Sequence, residues 1–151
     1  MADKEWVWRT PSWVPGHTEL YLTDPAAAHM WDSTRAGVPG VVPTLLLTTT
    51  GRRSGEPRHS PLVYGVTGNS YCIIASKGGY PSHPDWYLNL LAQPECEVRV
   101  GSGPRRARAR EAHGDEREQL WALMLGVYPP FDDYKARTDR DIPVIVLDLI
   151  D

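Results

Sequence analysis

Apolar and polar positions along this chain fall into two kinds of run, and their order predicts a β-rich core with flanking helices. From Thr44 onward the apolar runs are short and β-like: Leu45-Leu46-Leu47, Tyr71-Cys72-Ile73-Ile74 and Val144-Ile145-Val146-Leu147. Strands are expected at about 44–50, 58–66, 70–76, 95–100, 105–112 and 142–149. The connections are tight, with hairpins at Gly51 to Gly55, at Thr67-Gly68-Asn69 and at Gly101-Ser102-Gly103-Pro104. Short antiparallel strands at this spacing point to a barrel or sandwich, mainly β with helices. The last run does not alternate and is expected to be a central, buried strand.

Helical spacing appears in three places. Asp24-Pro25 reads as N-cap and first helical residue of a helix that should reach about Arg35 and stop at Gly37. Pro84 opens a second, with Trp86, Tyr87, Leu90 and Leu91 on one side and Pro94 ending it. Gly114-Asp115 starts a third, whose apolar side carries Leu120, Trp121, Leu123, Met124 and Val127. Its first turn holds Asp115, Glu116 and Glu118, which suit the helix dipole. Residues 1–23, with Pro11, Pro15 and Gly16, read as an irregular arm. The organisation expected is a Trp-rich arm and helix over 1–38 and a cofactor-binding body over 39–151, folded as one unit.

Composition narrows the class. A chain of 151 residues with 41% hydrophobic and 23% charged residues is one globular domain with a real core. A net charge of −3 and pI near 5.9 argue against a general nucleic-acid binder. The start of the chain has no signal-peptide core and no apolar run is long enough to span a bilayer, so the expected location is cytoplasmic. Cys72 and Cys96 lie in β-like runs without metal or redox spacing and read as buried free thiols. Trp6, Trp8, Trp13 and Trp31 crowd the first 32 positions. A packed arm is the favoured reading, and a peripheral seat at the inner face of a membrane is the other. Monomer and homodimer are both open.

The chemistry concentrates between Thr44 and Gly79. Thr50-Gly51-Arg52-Arg53-Ser54-Gly55-Glu56-Pro57-Arg58 and Ser76-Lys77-Gly78-Gly79 each follow an apolar strand and combine glycines with cations. Arg52, Arg53, Arg58 and Lys77 against Glu56 give this region +3 in a chain of −3. Glycine turns expose N–H groups as anion-binding nests, and arginine adds bidentate donors. One such turn could be an ordinary charged turn, but two at the ends of neighbouring strands favour a small polyanionic ligand. Known catalytic motifs are absent, and His17, His29, His59, His83 and His113 lack metal-ligand spacing, so no metal is expected. Arg106, Arg108 and Arg110 alternate along one strand and read as a solvated face. An enzyme without nucleophile, base or metal is best explained by a cofactor that carries the chemistry. Tyr128, Phe131 and Tyr134, spaced at i, i+3 and i+6, either pack a terminal turn or form an aromatic lid over a flat substrate.

These blocks resemble the deazaflavin-dependent nitroreductase family of actinobacteria over roughly residues 39–150. The match rests on Leu47 to Gly55 with Arg58, on Ala75-Ser76-Lys77-Gly78-Gly79, on Pro84 to Leu90 and on Thr138-Asp139-Arg140-Asp141-Ile142-Pro143. The resemblance implies a six-stranded antiparallel split β-barrel and reduced coenzyme F420 as hydride donor to a quinone, enone, lactone or nitro compound. It implies cofactor contacts at Thr50, Arg52, Arg53, Arg58, Pro61, Ala75, Ser76, Lys77, Gly78, Trp86 and Asn89. The basic hairpin would bind the phosphate and polyglutamate tail. Ser76, Tyr128 and Tyr134 would orient the acceptor, with Phe131 beside them. The family's nitroimidazole-reducing member has three tyrosines in the aromatic stretch, whereas this chain has Phe131 in the middle, which leaves quinone or enone reduction open. Two rival readings are an FMN-dependent reductase on the same fold and a non-catalytic deazaflavin carrier.

Overall fold

Strand β2 (Val41–Thr50) organises the sheet, in a computed structural model that describes residues 10–33 and 40–150. β1 (Met30–Asp32) pairs with its first residues, Trp31 opposite Val42. β3 (Pro57–Val63) pairs along most of its length, and β6 (Glu95–Arg99) takes its middle, Leu47 opposite Val98. Beyond β6 come β7 (Arg105–Glu111), β8 (Val144–Leu149), β5 (Ser70–Ile74) and β4 (Gly65–Thr67), every pair antiparallel.

β3, which branches off β2, and β4, at the far end of the strand order, are one stretch of chain bent at Tyr64. β3 belongs to β2, and β4 to β5, so the bend curls the sheet on itself. The split barrel therefore has eight strands among the described residues, not six. The segment expected as one strand over 58–66 divides because the Tyr64 ring turns into the core and α4 (Gly114–Val127) sits against Gly65. A Cβ on Gly65 would lie 2.8 Å from Met124 Sδ, so only glycine lets the helix come this close. Prolines at 57 and 61 are tolerated because β3 is an edge strand that needs only one ladder.

Alternate residues feed separate cores. Leu45, Leu47, Ile73, Val98, Ala107, Ile145 and Leu147 point into the barrel with Trp86, Tyr87 and Leu90 of α3 (Asp85–Ala92). Cys72, Ile74, Val144 and Val146 point outward against Leu120 and Met124 of α4 and Phe131 of α5 (Phe131–Ala136). β8 is buried on both faces between β5 and β7, as its unbroken apolar run predicts. Both cysteines are buried and unlinked.

The N-terminal region departs from expectation. Residues read as an irregular arm form helix α1 (Trp13–Thr23), with Pro15 in its first turn where a missing N–H costs nothing. Asp24 does cap the next helix, accepting from the Ala27 N–H, but α2 (Pro25–Ala28) ends after four residues. The chain instead enters β1; the expected stop at Gly37, and Trp6 and Trp8, lie outside the described residues. Tertiary pairing overrides the helical signal here: the Thr44 hydroxyl donates to Ala28 O at 2.9 Å and the Thr44 N–H donates to His29 O at 2.7 Å. The Tyr21 hydroxyl donates to Thr44 O and so docks α1 on β2. α3 and α4 stand where expected, but Leu91 is exposed and Asn89 holds the buried position; Leu123 is exposed too. No helix among the described residues is long and apolar enough to cross a membrane.

The arginine face of β7 is ion-paired across the sheet. Arg106 and Arg108 donate to the two oxygens of Glu95, while Arg110 forks onto Glu116 and reaches Asp148 Oδ2 at 2.8 Å. The Ser70 hydroxyl also donates to Asp148, and with Arg110 it holds this carboxyl below its ordinary pKa. A carboxyl depressed in the folded state adds stability above its unfolded pKa, near 3.9, and loses it as pH falls through the lower folded value. Asp148→Asn should therefore reduce stability at pH 7, with the gap to wild type closing as pH falls below about 4. Urea melts at pH 7 and pH 2.5 measure this, and a constant gap would remove the charge from the account.

Candidate functional site

Two contiguous cavities open at one end of the sheet. The smaller, about 410 Å³, is lined by Gly51, Arg52, Arg53, Ser54 and Arg58 of the β2–β3 hairpin, with Asp85, Trp86 and Asn89 of α3 opposite. The larger, about 680 Å³, is lined by Pro61 to Val63 of β3, Ser76 to Gly78, Tyr128, Phe131, Tyr134, Trp31 and the start of α1. Ser60, Asp85 and Trp86 belong to both walls, so the basic groove runs into the more apolar chamber.

The hairpin is held from α3. Asn89 is buried, and its Oδ1 accepts from the Arg52 N–H at 3.2 Å and from Arg52 Nη1 at 2.9 Å. Its Nδ2 donates to Thr49 Oγ1 at 3.1 Å. Arg52 Nη2 also reaches the exposed carboxylate of Asp85 at 3.3 Å. Arg52 is thus turned inward as a strut, while Arg53 and Arg58 stay exposed on the groove. The expected nest of open N–H groups is largely absent. Gly51 N–H donates to Glu56 O, Gly55 N–H to Gly51 O, Glu56 N–H to Ser54 Oγ and Arg52 N–H to Asn89. Anion capture in this groove falls to side chains.

The second turn is pinned by a residue that strand and motif reasoning left without a role. Arg140 is half-buried and donates to the carbonyls of Ser76 at 2.7 Å, Tyr80 at 2.9 Å and Ala75 at 3.2 Å. It also donates to His83 Nδ1 at 3.2 Å, which requires that nitrogen to be unprotonated. Burial, and then the neighbouring Arg140 charge, hold the His83 pKa below its ordinary value. Between the clamped carbonyls Lys77 adopts φ +48, a strained left-handed conformation for a side chain of this kind. Burial, and to a lesser degree Arg140, lower the Lys77 pKa, while Asp85 opposes them. Gly79, at φ +82, lets the turn touch α5: a Cβ there would fall 2.5 Å from Tyr134 O.

The aromatic stretch faces the chamber. Tyr128 and Phe131 are buried, Tyr134 is half-buried, and the Tyr128 and Tyr134 hydroxyls are 3.0 Å apart. Burial, and then the bond to Tyr134, raise the Tyr128 pKa, so its hydroxyl stays protonated at neutral pH. The rings pack against α4 and also line the cavity. Of the residues singled out in the sequence, Arg52, Arg53, Arg58, Pro61, Ser76, Lys77, Gly78, Trp86, Asn89, Tyr128, Phe131 and Tyr134 line one or both cavities. Thr50 lies exposed at the end of β2, and the Ala75 side chain is inside the barrel core; neither lines a cavity. Trp13, Trp31 and Arg137 line the chamber without having been assigned there. No metal-binding cluster of side chains occurs among the described residues.

Comparison with known proteins is consistent across sequence and structure. The sequence model of a family described as F420H(2)-dependent quinone reductase matches residues 26–148. An F420H(2)-dependent quinone reductase of Mycobacterium tuberculosis is 41% identical over 115 residues, covering 73% of this chain and 76% of that protein. A solved F420-H2 dependent reductase, FDR-A, is 42% identical with a TM-score of 0.65, over 70% of this chain and 93% of its own. A structure described as a domain-swapped dimer has the same identity and TM-score, over 70% of this chain and 79% of its own. The Vibrio cholerae heme storage protein HutZ, 16% identical at a TM-score of 0.56 over 72% of this chain and 82% of its own, shares the fold alone.

Arg140→Ala should lower stability by about 2–4 kcal/mol, because several charge-assisted bonds to carbonyls are lost together. It should also speed amide exchange across residues 75–80 more than across β8, as hydrogen-exchange mass spectrometry would read out. Uniform acceleration over the whole chain would show that Arg140 does not act locally on the turn.

Proposed function

This chain belongs to the F420H(2)-dependent quinone reductase family, and from that membership we propose that it is an oxidoreductase using reduced coenzyme F420 to reduce a small quinone-type acceptor. The observation that carries the reading is the continuity of the basic groove with the aromatic chamber through Trp86. A flat ring with a long anionic tail needs both compartments, joined, and the donor set fits it. The FMN alternative has no counterpart in the matched family or its F420-named relatives.

The geometry supports the following roles. Arg53 and Arg58 hold the anionic tail by charge-assisted hydrogen bonds, and Arg52, braced by Asn89, shapes the groove beneath it. Lys77 presents its ammonium from the clamped turn to a phosphate or ring oxygen, and Ser76 and Gly78 complete that wall. When bound in reduced form, the deazaflavin supplies a hydride. Trp86 and Pro61 bound the space in which ring and acceptor must be aligned, and alignment is the main contribution open to a protein without its own nucleophile. One of the Tyr128 and Tyr134 hydroxyls donates to the other, which leaves a single proton of the pair for the acceptor, and Phe131 supplies an apolar surface for it. The domain-swapped relative is in keeping with a homodimer, and the packing of Trp13 on Trp31 with a folded rather than lipid-bound arm.

Three measurements test this. Fluorescence titration should show F420 binding, with F420H(2) then oxidised by menadione; binding without oxidation by any acceptor would favour a carrier. Arg53→Ala with Arg58→Ala should weaken F420 binding roughly 10-fold or more and reduce its salt dependence, since exposed charges are screened. Unchanged affinity would take the groove out of the cofactor site. Tyr134→Phe should lower kcat more than F420 affinity, whereas equal losses would assign Tyr134 to packing.

A further inference from the structure

We infer that the indole N–H of Trp31 is a hydrogen-bond donor to a carbonyl oxygen of the acceptor, an inference that rests on the quinone-reductase reading of the chamber. Trp31 is 5% exposed and forms part of the chamber wall. Among the described residues, its Nε1 is the buried side-chain nitrogen left without a hydrogen-bond partner. Buried indole N–H groups ordinarily find an acceptor, so an orphan in a cavity wall marks where a ligand oxygen belongs.

The surroundings explain why the protein itself cannot satisfy this donor. Trp13 stacks on the Trp31 ring with centroids 4.3 Å apart, and Tyr128 lies 6.4 Å away. Trp31 stands in β1, where its backbone pairs with Val42. Leu62, Val63, Ile74 and Phe131 supply neighbouring wall and offer no side-chain oxygen. A quinone brings two carbonyl oxygens. The Tyr128–Tyr134 pair can take one, and Trp31 takes the other. Nε1 is closed off in this structure, with Trp13 stacked on the ring from the first turn of α1. For the oxygen to reach the donor that turn must shift, and its Ser12 makes no side-chain capping hydrogen bond. Donation to the carbonyl also draws electron density from the ring that accepts the hydride, so Trp31 both places the acceptor and selects for carbonyl-bearing ones.

The test uses protein labelled with 15N-tryptophan and loaded with oxidised F420, so that no turnover occurs. The Trp31 indole resonance is assigned as the one missing from Trp31→Phe. Adding menadione should move that proton downfield. In steady state, Trp31→Phe should raise the menadione KM roughly 3- to 10-fold, leave F420 affinity within about twofold, and leave Tm unchanged or raised because an unpaired donor is gone. An unmoved resonance with unchanged KM overturns the inference. So does a resonance already downfield and insensitive to menadione, which would mean that an ordered water satisfies the N–H. Parallel losses of F420 affinity and Tm overturn it as well, in favour of packing. If wild-type protein neither binds F420 nor oxidises F420H(2) with menadione, the reductase reading itself fails, and that result precedes any variant.

Discussion

A cation that must attract a ligand has to be held in place without being neutralised, and this requirement shapes much of the site. Arg140 is tied to the carbonyls of Ala75, Ser76 and Tyr80, and Arg52 to the amide oxygen of Asn89. Neutral oxygens orient the Arg140 guanidinium and leave its charge in the field, whereas Arg52 is also ion-paired with Asp85. The consequence is visible at Lys77 and His83, where Arg140 contributes to lowering both pKa values. Asp85 offsets part of this field, but its carboxylate is largely exposed and therefore screened.

The sheet explains why these cations stand where they do. β2, β5 and β8 are buried on both faces through most of their length, so their middles have no room for polar chemistry. The cations of the site therefore stand at or beyond strand ends. The hairpin after β2 and the turn after β5 carry the two basic clusters, and α3 bridges them with Trp86 in both walls and Asn89 bracing the hairpin. The bend at Tyr64 brings β3 back beside the chamber, with Pro61 on its wall.

Apolar runs made β5 and β8 legible, turn-bounded β-like runs β6 and β7, and helical spacing α3 and α4. β1 and α1 were not legible. Their folding depends on a remote residue, Thr44, whose hydroxyl and backbone hold Ala28, His29 and Tyr21. The division of β3 from β4 was hidden for a similar reason, since it follows from the approach of α4 to Gly65. In the site, residue types on the hairpin announced an anion groove, but not that its N–H groups would be used internally. Arg140 sits in the polar run Thr138 to Asp141, which locally looks like any exposed loop. Only the return of that loop beneath Ser76 reveals its work.

The aromatic wall then constrains how the second half of a quinone reduction can proceed. Hydride transfer leaves an oxyanion that must gain a proton. Tyr128 lines the chamber, and burial, then its bond to Tyr134, raise its pKa, which makes it a poor acid. A group of this kind stabilises developing charge on oxygen by donation and gives up its proton only if another is supplied behind it. Tyr134, half-buried and bonded to Tyr128, is the route by which such a proton can arrive from solvent. Under the proposed function, the Tyr128–Tyr134 pair is the candidate for stabilising charge on the acceptor oxygen, with half-buried Tyr134 on its solvent side.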